Sequence, residues 1–270
     1  MEINRNNIFE LVKKCDVKPD KDYGQNFLVE PELASKIVDS LNVQKDDHVL
    51  EIGPGLGTLT SRLLEKAKKV YAVELYPKMV EILQDRFKLY ENIEIINEDI
   101  LKLDINKIAP KAKVVANLPY YITTSIITKI IKANIKDITI LIQKEVADRI
   151  CAIPSEKEAG AITYFVYYYA DSKIIKNVPS ECFIPSPKVD SAVVRITKLE
   201  KTRVKVNNEE VFFSLIKENF TKRRKNILNS LSSTVEKERL QEILKELDID
   251  ENTRGENLTI EQFAEIANKI

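Results

Sequence analysis

Five consecutive residues, Asn117-Leu118-Pro119-Tyr120-Tyr121, place hydrogen-bond acceptors beside an aromatic ring at the end of an apolar run. Proline fixes its own φ and pushes the residue before it toward an extended conformation, so the Leu118 carbonyl can point outward beside the Asn117 side chain. Tyr120 then offers a stacking face next to two acceptors. This combination suits a planar base that carries an exocyclic amine, although a plain strand-to-helix turn would use the same residue types.

A glycine-rich segment lies earlier in the chain, at Glu51-Ile52-Gly53-Pro54-Gly55-Leu56-Gly57, and precedes a helical pattern capped by Thr58. Glycine lets a backbone turn sharply and approach a ligand at a helix N-terminus. The G-x-G-x-G spacing that begins with Gly53 and Gly55 differs from the G-x-G-x-x-G of dinucleotide binders, and no P-loop Lys-Ser/Thr follows it. The segment therefore favours an adenosine cofactor without phosphates, with an ordinary tight turn as the alternative.

Acidic residues follow at the ends of the next two predicted strands. Glu74 stands where a carboxylate takes up ribose hydroxyls, and Asp99, next to Glu98, could accept from an adenine amino group. Glu51 allows two interpretations, because it can orient the loop through backbone amides or contact the amino acid moiety of a cofactor. A cofactor site is indicated because the glycine loop and the acids each follow a predicted strand, in the order that such a site requires.

Alternating strand and helix patterns must position these groups. Strands are predicted at 48–52, 70–73, 93–96, 114–116 and 138–142. Helices are predicted at 4–14 and 31–41, from residues 58, 78 and 123, and at 144–151 and 159–169. This rhythm is typical of a mostly parallel, doubly wound α/β sheet, in which ligands bind at the carboxyl ends of the strands. A β-rich tail at 172–197 is expected to close the sheet.

The pattern changes beyond about residue 200, where only helices are predicted, at 209–219, 222–231, 236–247 and 260–269. We therefore expect two domains: residues 1–200, with the sheet and an N-terminal helical lid, and residues 201–270, a small helical domain. Within the second, Lys222-Arg223-Arg224-Lys225 is the densest basic run of the chain. It would meet nucleic-acid phosphates, unless it is only a solvated helix face.

Composition disfavours several classes of protein. The 270 residues carry 42 basic and 42 acidic side chains, so any nucleic-acid surface must be local. His48 is the single histidine, and Cys15, Cys151 and Cys182 are far apart, so we expect neither a metal site nor a disulfide framework. No apolar run reaches the roughly 18 residues of a membrane span. The first residues show no signal peptide, so a cytoplasmic protein without a membrane partner is expected.

Taken in order, these motifs resemble those of the class I S-adenosylmethionine-dependent methyltransferases, and closely those of the rRNA adenine N6-dimethyltransferase family. The matching residues lie at 24–28, 51–57, 74, 99, 117–121 and 183–191. The basic run and the pattern formed by Arg254, Glu256, Leu258 and Phe263 are similar to the C-terminal domain of the small-subunit branch. The resemblance implies a Rossmann-like α/β sheet with a small C-terminal helical domain and S-adenosyl-L-methionine as cofactor. It also implies dimethylation of two adjacent adenosines in the loop of the 3′-terminal hairpin of 16S rRNA.

The resemblance further implies a role for each residue. Asn117 and Leu118 would accept the two N–H bonds of the adenine N6 amine, and Tyr120 and Phe183 would stack on the two faces of the flipped base. The implied catalytic residues are Asn117, Leu118, Pro119, Tyr120 and Phe183. The implied cofactor-binding residues are Asn26, Leu28, Glu51, Gly53, Gly55, Glu74, Asp99 and Asn117, and the implied RNA-binding residues are Lys222, Arg223, Arg224 and Lys225. The expected partner is 16S rRNA within the immature 30S subunit, bound by a monomer.

Three other functions compete with this one. A large-subunit methyltransferase would share the chemistry and differ in taking 23S rRNA. An RNA-binding assembly factor could keep the fold without turnover, although the intact segment from Asn117 to Tyr120 argues against it. A nicotinamide oxidoreductase is disfavoured by the glycine spacing and by the lack of a hydride-handling histidine or acid pair.

Overall fold

The computed structural model describes Ile8 and residues 26–270, which fall into two compact units. The first unit extends to Ala147 and includes Lys173–Lys198, and the second comprises Asp148–Ser172 and Leu199–Ile270. The helix predicted at 4–14 lies outside the described residues apart from Ile8. In the described part of the chain, no helix is both long and apolar enough to cross a membrane.

The first unit is built on a mixed seven-stranded sheet. The described strands are, in chain order, β1 (Phe27–Leu28), β2 (His48–Ile52), β3 (Lys69–Glu74), β4 (Ile93–Asn97), β5 (Lys113–Asn117), β6 (Asp137–Gln143), β7 (Ala170–Val178), β8 (Phe183–Ile184) and β9 (Ser191–Lys198). The large sheet has the order β4-β3-β2-β5-β6-β9-β7, with β2 to β6 parallel and β9 antiparallel to β6. β1 and β8 pair antiparallel in a separate two-stranded sheet.

Continuous aliphatic runs explain the central strands of this sheet. β5 and β6 are buried along their lengths except at their ends, as strands covered by helices on both faces require. The five predicted strands are confirmed, each to within one residue at either end. Because β2 to β5 are parallel, their carboxyl ends meet at one edge of the sheet, and this edge carries the predicted site residues.

Helices cover the sheet of the first unit. They are α1 (Pro31–Ser40), α2 (Thr58–Lys66), α3 (Pro77–Phe87), α4 (Ile105–Ile108), α5 (Thr123–Lys132) and α6 (Lys144–Cys151), the last of which continues into the second unit. Pro31 and Pro77 occupy the first helical turn, where the missing N–H would be unpaired anyway. Ile37 and Leu63, from α1 and α2, share one apolar cluster with Val115 of β5.

The second unit is helical. Its helices are α7 (Ala161–Tyr169), α8 (Glu209–Thr221), α9 (Ile227–Ser230), α10 (Lys237–Glu246) and α11 (Ile260–Lys269). Tyr164 and Tyr168 of α7 pack with Phe212 and Phe263 in a single core. We expected two domains at 1–200 and 201–270, but residues 148–172, which precede that boundary, belong to the second unit. An almost wholly apolar helix such as α7 shows the same pattern whether it covers a sheet or completes a helical core.

The helix predicted at 222–231 is wrong over its first half. α8 ends at Thr221, and Lys222 leaves the helical region with φ −110° and ψ 35°. Asn226 then caps the short α9, because its side chain accepts from the Asn229 backbone N–H. Asparagine competes for backbone hydrogen bonds in this way, so it begins a new helix rather than continuing the old one.

Candidate active site

A cavity lies at the carboxyl edge of the parallel strands, where the glycine loop follows β2. Gly53, Gly55 and Gly57 have φ of 65°, 55° and 84°, in the left-handed region that residues with a Cβ disfavour. At Gly57 a Cβ would also lie 2.6 Å from the Phe87 ring, which explains the third glycine. The first two glycines line the cavity, so the loop presents bare backbone to a ligand, as the sequence predicts.

Glu74 ends β3 and holds this loop in place. Its two carboxylate oxygens accept from the backbone N–H groups of Gly55, at 3.1 Å, and Tyr76, at 2.9 Å. Burial raises the pKa of Glu74 above its usual value, and these two hydrogen bonds oppose the rise. A carboxylate has about four lone-pair sites, so acceptor capacity remains for a ligand in the cavity that Glu74 lines.

Glu51 is 1% exposed, and one of its carboxylate oxygens has no hydrogen-bond partner among the described residues. The other oxygen accepts from Thr60 Oγ1 of α2 at 2.7 Å, rather than from the glycine loop. Burial raises the pKa of Glu51 to about 8; the Thr60 hydrogen bond opposes this rise and the charge of Glu74 adds to it. An orphaned buried acceptor in a cavity wall fits a ligand that brings a donor or a positive charge.

This buried carboxyl predicts a pH-dependent stability. The pKa of Glu51 is about 8 in the folded state and ordinarily 4.5. The contribution of this group to the free energy of unfolding is therefore fully present below about pH 4.5 and is lost as pH rises through 8. Glu51→Gln mimics the protonated form and does not titrate. We expect this variant to reduce the loss of unfolding free energy by up to about 1.4 kcal/mol per pH unit between pH 4.5 and pH 8. Urea unfolding of the ligand-free protein between pH 5 and pH 8 measures the difference. Equal pH slopes for both proteins would contradict it.

The turn after β4 supplies a third carboxylate to the cavity. Asp99 Oδ1 accepts from the Leu101 backbone N–H at 2.9 Å, and Glu98 Oε1 accepts from the Asp99 N–H at 2.8 Å. These local bonds fix the turn through one oxygen of each side chain. Both residues line the cavity, so the second carboxylate oxygen of Asp99 is available for a ligand.

Residues 26–28 lie over the glycine loop. A Cβ on Gly55 would stand 3.4 Å from the Phe27 ring, and Thr58 Oγ1 donates to the Leu28 carbonyl at 3.0 Å. Thr58 therefore does not cap α2 as predicted, and Gly57 is the N-cap residue. Asn26 and Leu28 both line the cavity, as the predicted lid requires, whereas the neighbouring Gly24 and Gln25 lie outside the described residues.

The segment after β5 borders the same cavity. The Leu118 backbone N–H donates to a β6 carbonyl at 3.1 Å, and Pro119 leads into a short 3₁₀ turn at Tyr120–Ile122. Asn117 Nδ2 donates to the Asn26 carbonyl at 3.0 Å, which ties the segment to the lid. This use of Nδ2 leaves Asn117 Oδ1 as the acceptor for a ligand.

Phe183 does not lie with these residues, and the prediction that it stacks on a base is wrong for this structure. Its side chain is 1% exposed and belongs to the apolar core of the first unit. The pairing of β8 with β1 sets Phe183 opposite Leu28 and buries the ring. It is not among the residues that line the cavity.

The sequence did not predict two hydroxyl groups at the site, those of Ser191 and Thr60. Ser191 Oγ lies 2.9 Å from Tyr120 Oη, and Thr60 Oγ1 donates to Glu51. Ser191 ends the matched segment 183–191, yet a serine or threonine hydroxyl has no sequence signal of its own. Its importance depends on the partner that the fold brings to it.

Two of the four cations in the basic run at 222–225 form ion pairs with acidic residues of the second unit. Lys222 Nζ donates to Glu218 at 2.7 Å, and Arg223 forms an ion pair with Glu256. Both cations are thus engaged inside the second unit. That all four residues face RNA phosphates stays a prediction, and the structure divides the run into two paired cations and two that have no ion-pair partner among the described residues.

Arg224 and Lys225 line a polar groove together with Arg254. No described residue pairs with the Arg224 or Lys225 side chain, and both are exposed. The other groove residues carry amide or hydroxyl groups and are Asn226, Asn229, Ser232 and Asn252. A positively charged groove with amide and hydroxyl donors is suited to phosphate oxygens.

The parallel sheet, the glycine loop after β2 and the acids near the ends of β3 and β4 define a Rossmann-like methyltransferase fold. A dimethyladenosine transferase from Plasmodium falciparum superposes with a TM-score of 0.75 and 28% sequence identity, covering 89% of this chain and 95% of that chain. The 23S rRNA methyltransferase ErmE superposes with a TM-score of 0.69 and 25% identity, covering 90% and 99%. These likenesses confirm the predicted fold class.

Sequence similarity narrows the class to one family. The family model for Ribosomal RNA adenine dimethylase matches residues 17–270. The Ribosomal RNA small subunit methyltransferase A of Alkaliphilus oremlandii is 46% identical over 272 residues, which cover 97% of this chain and 95% of that protein. The chain therefore belongs to the ribosomal RNA adenine dimethylase family, and the resemblance seen in its motifs is confirmed.

Proposed function

We propose that this protein dimethylates N6 of two adjacent adenosines in the loop of the 3′-terminal hairpin of 16S rRNA, using S-adenosylmethionine, during assembly of the small ribosomal subunit. One observation carries the proposal: Asn117, Leu118 and Tyr120 line the same cavity as the glycine loop and its acids. A base and a methyl donor can therefore meet there. The small-subunit relative at 46% identity supports a 16S target over a 23S target, for which the similar enzyme is 25% identical.

The cavity fits S-adenosylmethionine. The orphaned oxygen of Glu51 suits the ammonium group of the cofactor, Glu74 suits the ribose hydroxyls, and Asp99 suits the adenine amino group. Asn26 and Leu28 would hold the methionine end from the lid. S-adenosylmethionine supplies an electrophilic methyl group carried on a sulfonium.

The residues of the segment after β5 orient the base. An adenine N6 amine is a poor nucleophile, because its lone pair is delocalised into the ring. Asn117 Oδ1 and the Leu118 carbonyl would accept hydrogen bonds from its two N–H groups and so turn the lone pair toward the methyl group, while Tyr120 would stack on the flipped base. As the N–CH₃ bond formed, the S–CH₃ bond would break with its electron pair left on sulfur, which would become a neutral thioether, and the N6 proton would be lost to solvent. Positioning and aimed dipoles of this kind can contribute roughly 7–11 kcal/mol, so no strong base is needed.

Methyl transfer to immature 30S particles tests this function. We expect label from radioactive S-adenosylmethionine to enter particles that lack the modification and to map to the two adenosines of the hairpin. Free 16S and 23S transcripts serve as comparison substrates. Uptake by the 23S transcript alone would establish the large-subunit alternative, and RNA binding without any uptake would establish the assembly factor.

We further propose that the groove of Arg224, Lys225 and Arg254 meets rRNA phosphates, and that the protein acts as a cytoplasmic monomer on the immature 30S subunit. The side chains of Arg224 and Lys225, which pair with no described residue, support the first statement. Sedimentation of the protein with and without particles tests the second.

The groove predicts a specific salt dependence. We expect Arg224→Ala with Lys225→Ala to weaken binding to a 16S rRNA fragment and to reduce the slope of log affinity against log salt by about 0.7–0.9 for each lost contact. Filter binding at several salt concentrations measures the slope. Lys222→Ala is the matched control, because its cation is paired with Glu218 and its loss should lower stability instead. A wild-type slope for the double variant would mean that the groove is only solvated surface.

A further inference from the structure

Ser191 is a buried serine at the first position of β9. It is 0% exposed and pairs with Gln143, the last residue of β6, in the antiparallel ladder. The preceding Asp190 is held twice: its carbonyl accepts from the Lys144 N–H at 2.9 Å, and its Oδ1 accepts from the Ser180 N–H at 3.0 Å. The sheet and its flanking segments therefore fix the position of the Ser191 hydroxyl.

Tyr120 lines the cavity, and its hydroxyl lies 2.9 Å from Ser191 Oγ. Burial raises the pKa of the Tyr120 phenol above its usual value, and the hydrogen bond with Ser191 opposes the rise. The backbone of Tyr120 belongs to a three-residue turn whose next residue, Tyr121, is 55% exposed. A hydrogen bond at the tip of the ring, far from the Cα atom, therefore limits the rotation of a side chain that stands on a surface turn.

We propose that Ser191 is a positioning residue for methyl transfer, and that its hydroxyl fixes the Tyr120 ring so that the stacked base presents N6 to the Asn117 and Leu118 acceptors. The inference rests on the proposed function, since the ring has a base to orient only if the protein methylates adenine. Ser191 acts through Tyr120 alone. Removing either hydroxyl breaks the same bond, so Ser191→Ala and Tyr120→Phe have the same consequence.

Single-turnover methyl transfer to immature 30S particles tests the coupling. We expect Ser191→Ala and Tyr120→Phe each to lower the rate about three- to tenfold, the scale of one neutral hydrogen bond, with unchanged dissociation constants for RNA and cofactor. The double variant is expected to be no slower than either single variant, because both remove one interaction. Tyr120→Ala is expected to lower the rate further, because the ring itself is removed. Ser191→Thr, which keeps a hydroxyl group, is expected to retain most of the wild-type rate. Multiplied effects in the double variant, or a wild-type rate for Ser191→Ala, would overturn the proposal.

Tyrosine ring signals give a second measurement that needs neither RNA nor turnover. With ¹³C-labelled tyrosine, the Tyr120 signals are assigned from their absence in Tyr120→Phe. We expect Ser191→Ala to shift and broaden them, whereas Thr139→Val, which removes another fully buried hydroxyl from the adjacent β6, leaves them unchanged. Unchanged Tyr120 signals in Ser191→Ala would also overturn the proposal. If the wild-type protein transfers no methyl group, the proposed function fails, while these signals still report whether Ser191 holds the ring.

Discussion

Replacing Asn117 by alanine is expected to slow methyl transfer by about a hundredfold, the scale on which loss of one preorganised hydrogen-bonding group acts. The Asn117 side chain supplies the acceptor that orients the N6 lone pair, and the Leu118 carbonyl supplies a second acceptor. RNA affinity should change little, because the interaction with the amine strengthens as the amine reacts. Single-turnover kinetics at saturating cofactor, with immature 30S particles as substrate, measures the rate.

Asn92→Ala is the matched control for this variant. Its amide donates to the Leu64 and Ala67 carbonyls at 3.1 Å, in the same unit, and Asn92 does not line the cavity. We expect it to lower stability and to leave the transfer rate at the wild-type level. A wild-type rate for Asn117→Ala would mean that Leu118 alone orients the amine, and the proposed role of Asn117 in orienting it would be wrong.

Replacing Glu74 by alanine is expected to weaken cofactor binding by about 1–3 kcal/mol, roughly five- to 150-fold in the dissociation constant. Ribose hydroxyls would be left without an acceptor in a largely buried cavity. The Gly55 and Tyr76 amides would also lose their carboxylate, so the loop itself would become less ordered. Calorimetric titration with S-adenosylmethionine measures the change.

Glu74→Gln separates the two roles of this side chain, because it keeps one acceptor oxygen and removes the charge. We expect its affinity to lie between those of wild type and Glu74→Ala. Glu94→Ala, which removes an exposed carboxylate paired with Lys69 on the neighbouring strand, is expected to bind the cofactor normally. An unchanged dissociation constant for Glu74→Ala would refute the assignment of Glu74 to the ribose.

The central sheet could be predicted because its signals are local. Five aliphatic runs separated by helical patterns define parallel strands, and the chemistry of such sheets concentrates at their carboxyl ends. The glycine loop, Glu74 and Asp99 therefore reach the cavity as expected. In each case the residue type, the strand end and the spacing along the chain point to the same place.

The sequence is least informative where a partner distant in sequence decides the environment. Phe183 is buried because β8 pairs with β1, a contact that the flanking prolines do not indicate. Arg223 meets Glu256, which lies beyond the next two helices, so a charge run alone could not separate it from Arg224. Thr60 becomes important only because the fold sets it against the orphaned carboxyl of Glu51.

The antiparallel β9 is the last strand of the large sheet to be synthesised. Every residue that lines the cavity, from Asn26 to Ile126, precedes it in the chain. A nascent chain that stops after β6 therefore contains the acids, the glycines and the Asn117 acceptor, but lacks the strand that supplies a partner for the Tyr120 hydroxyl. A protein truncated before Ser191 would leave the Tyr120 hydroxyl without this partner, so the last-made strand of the sheet anchors a side chain that belongs to the cavity made before it.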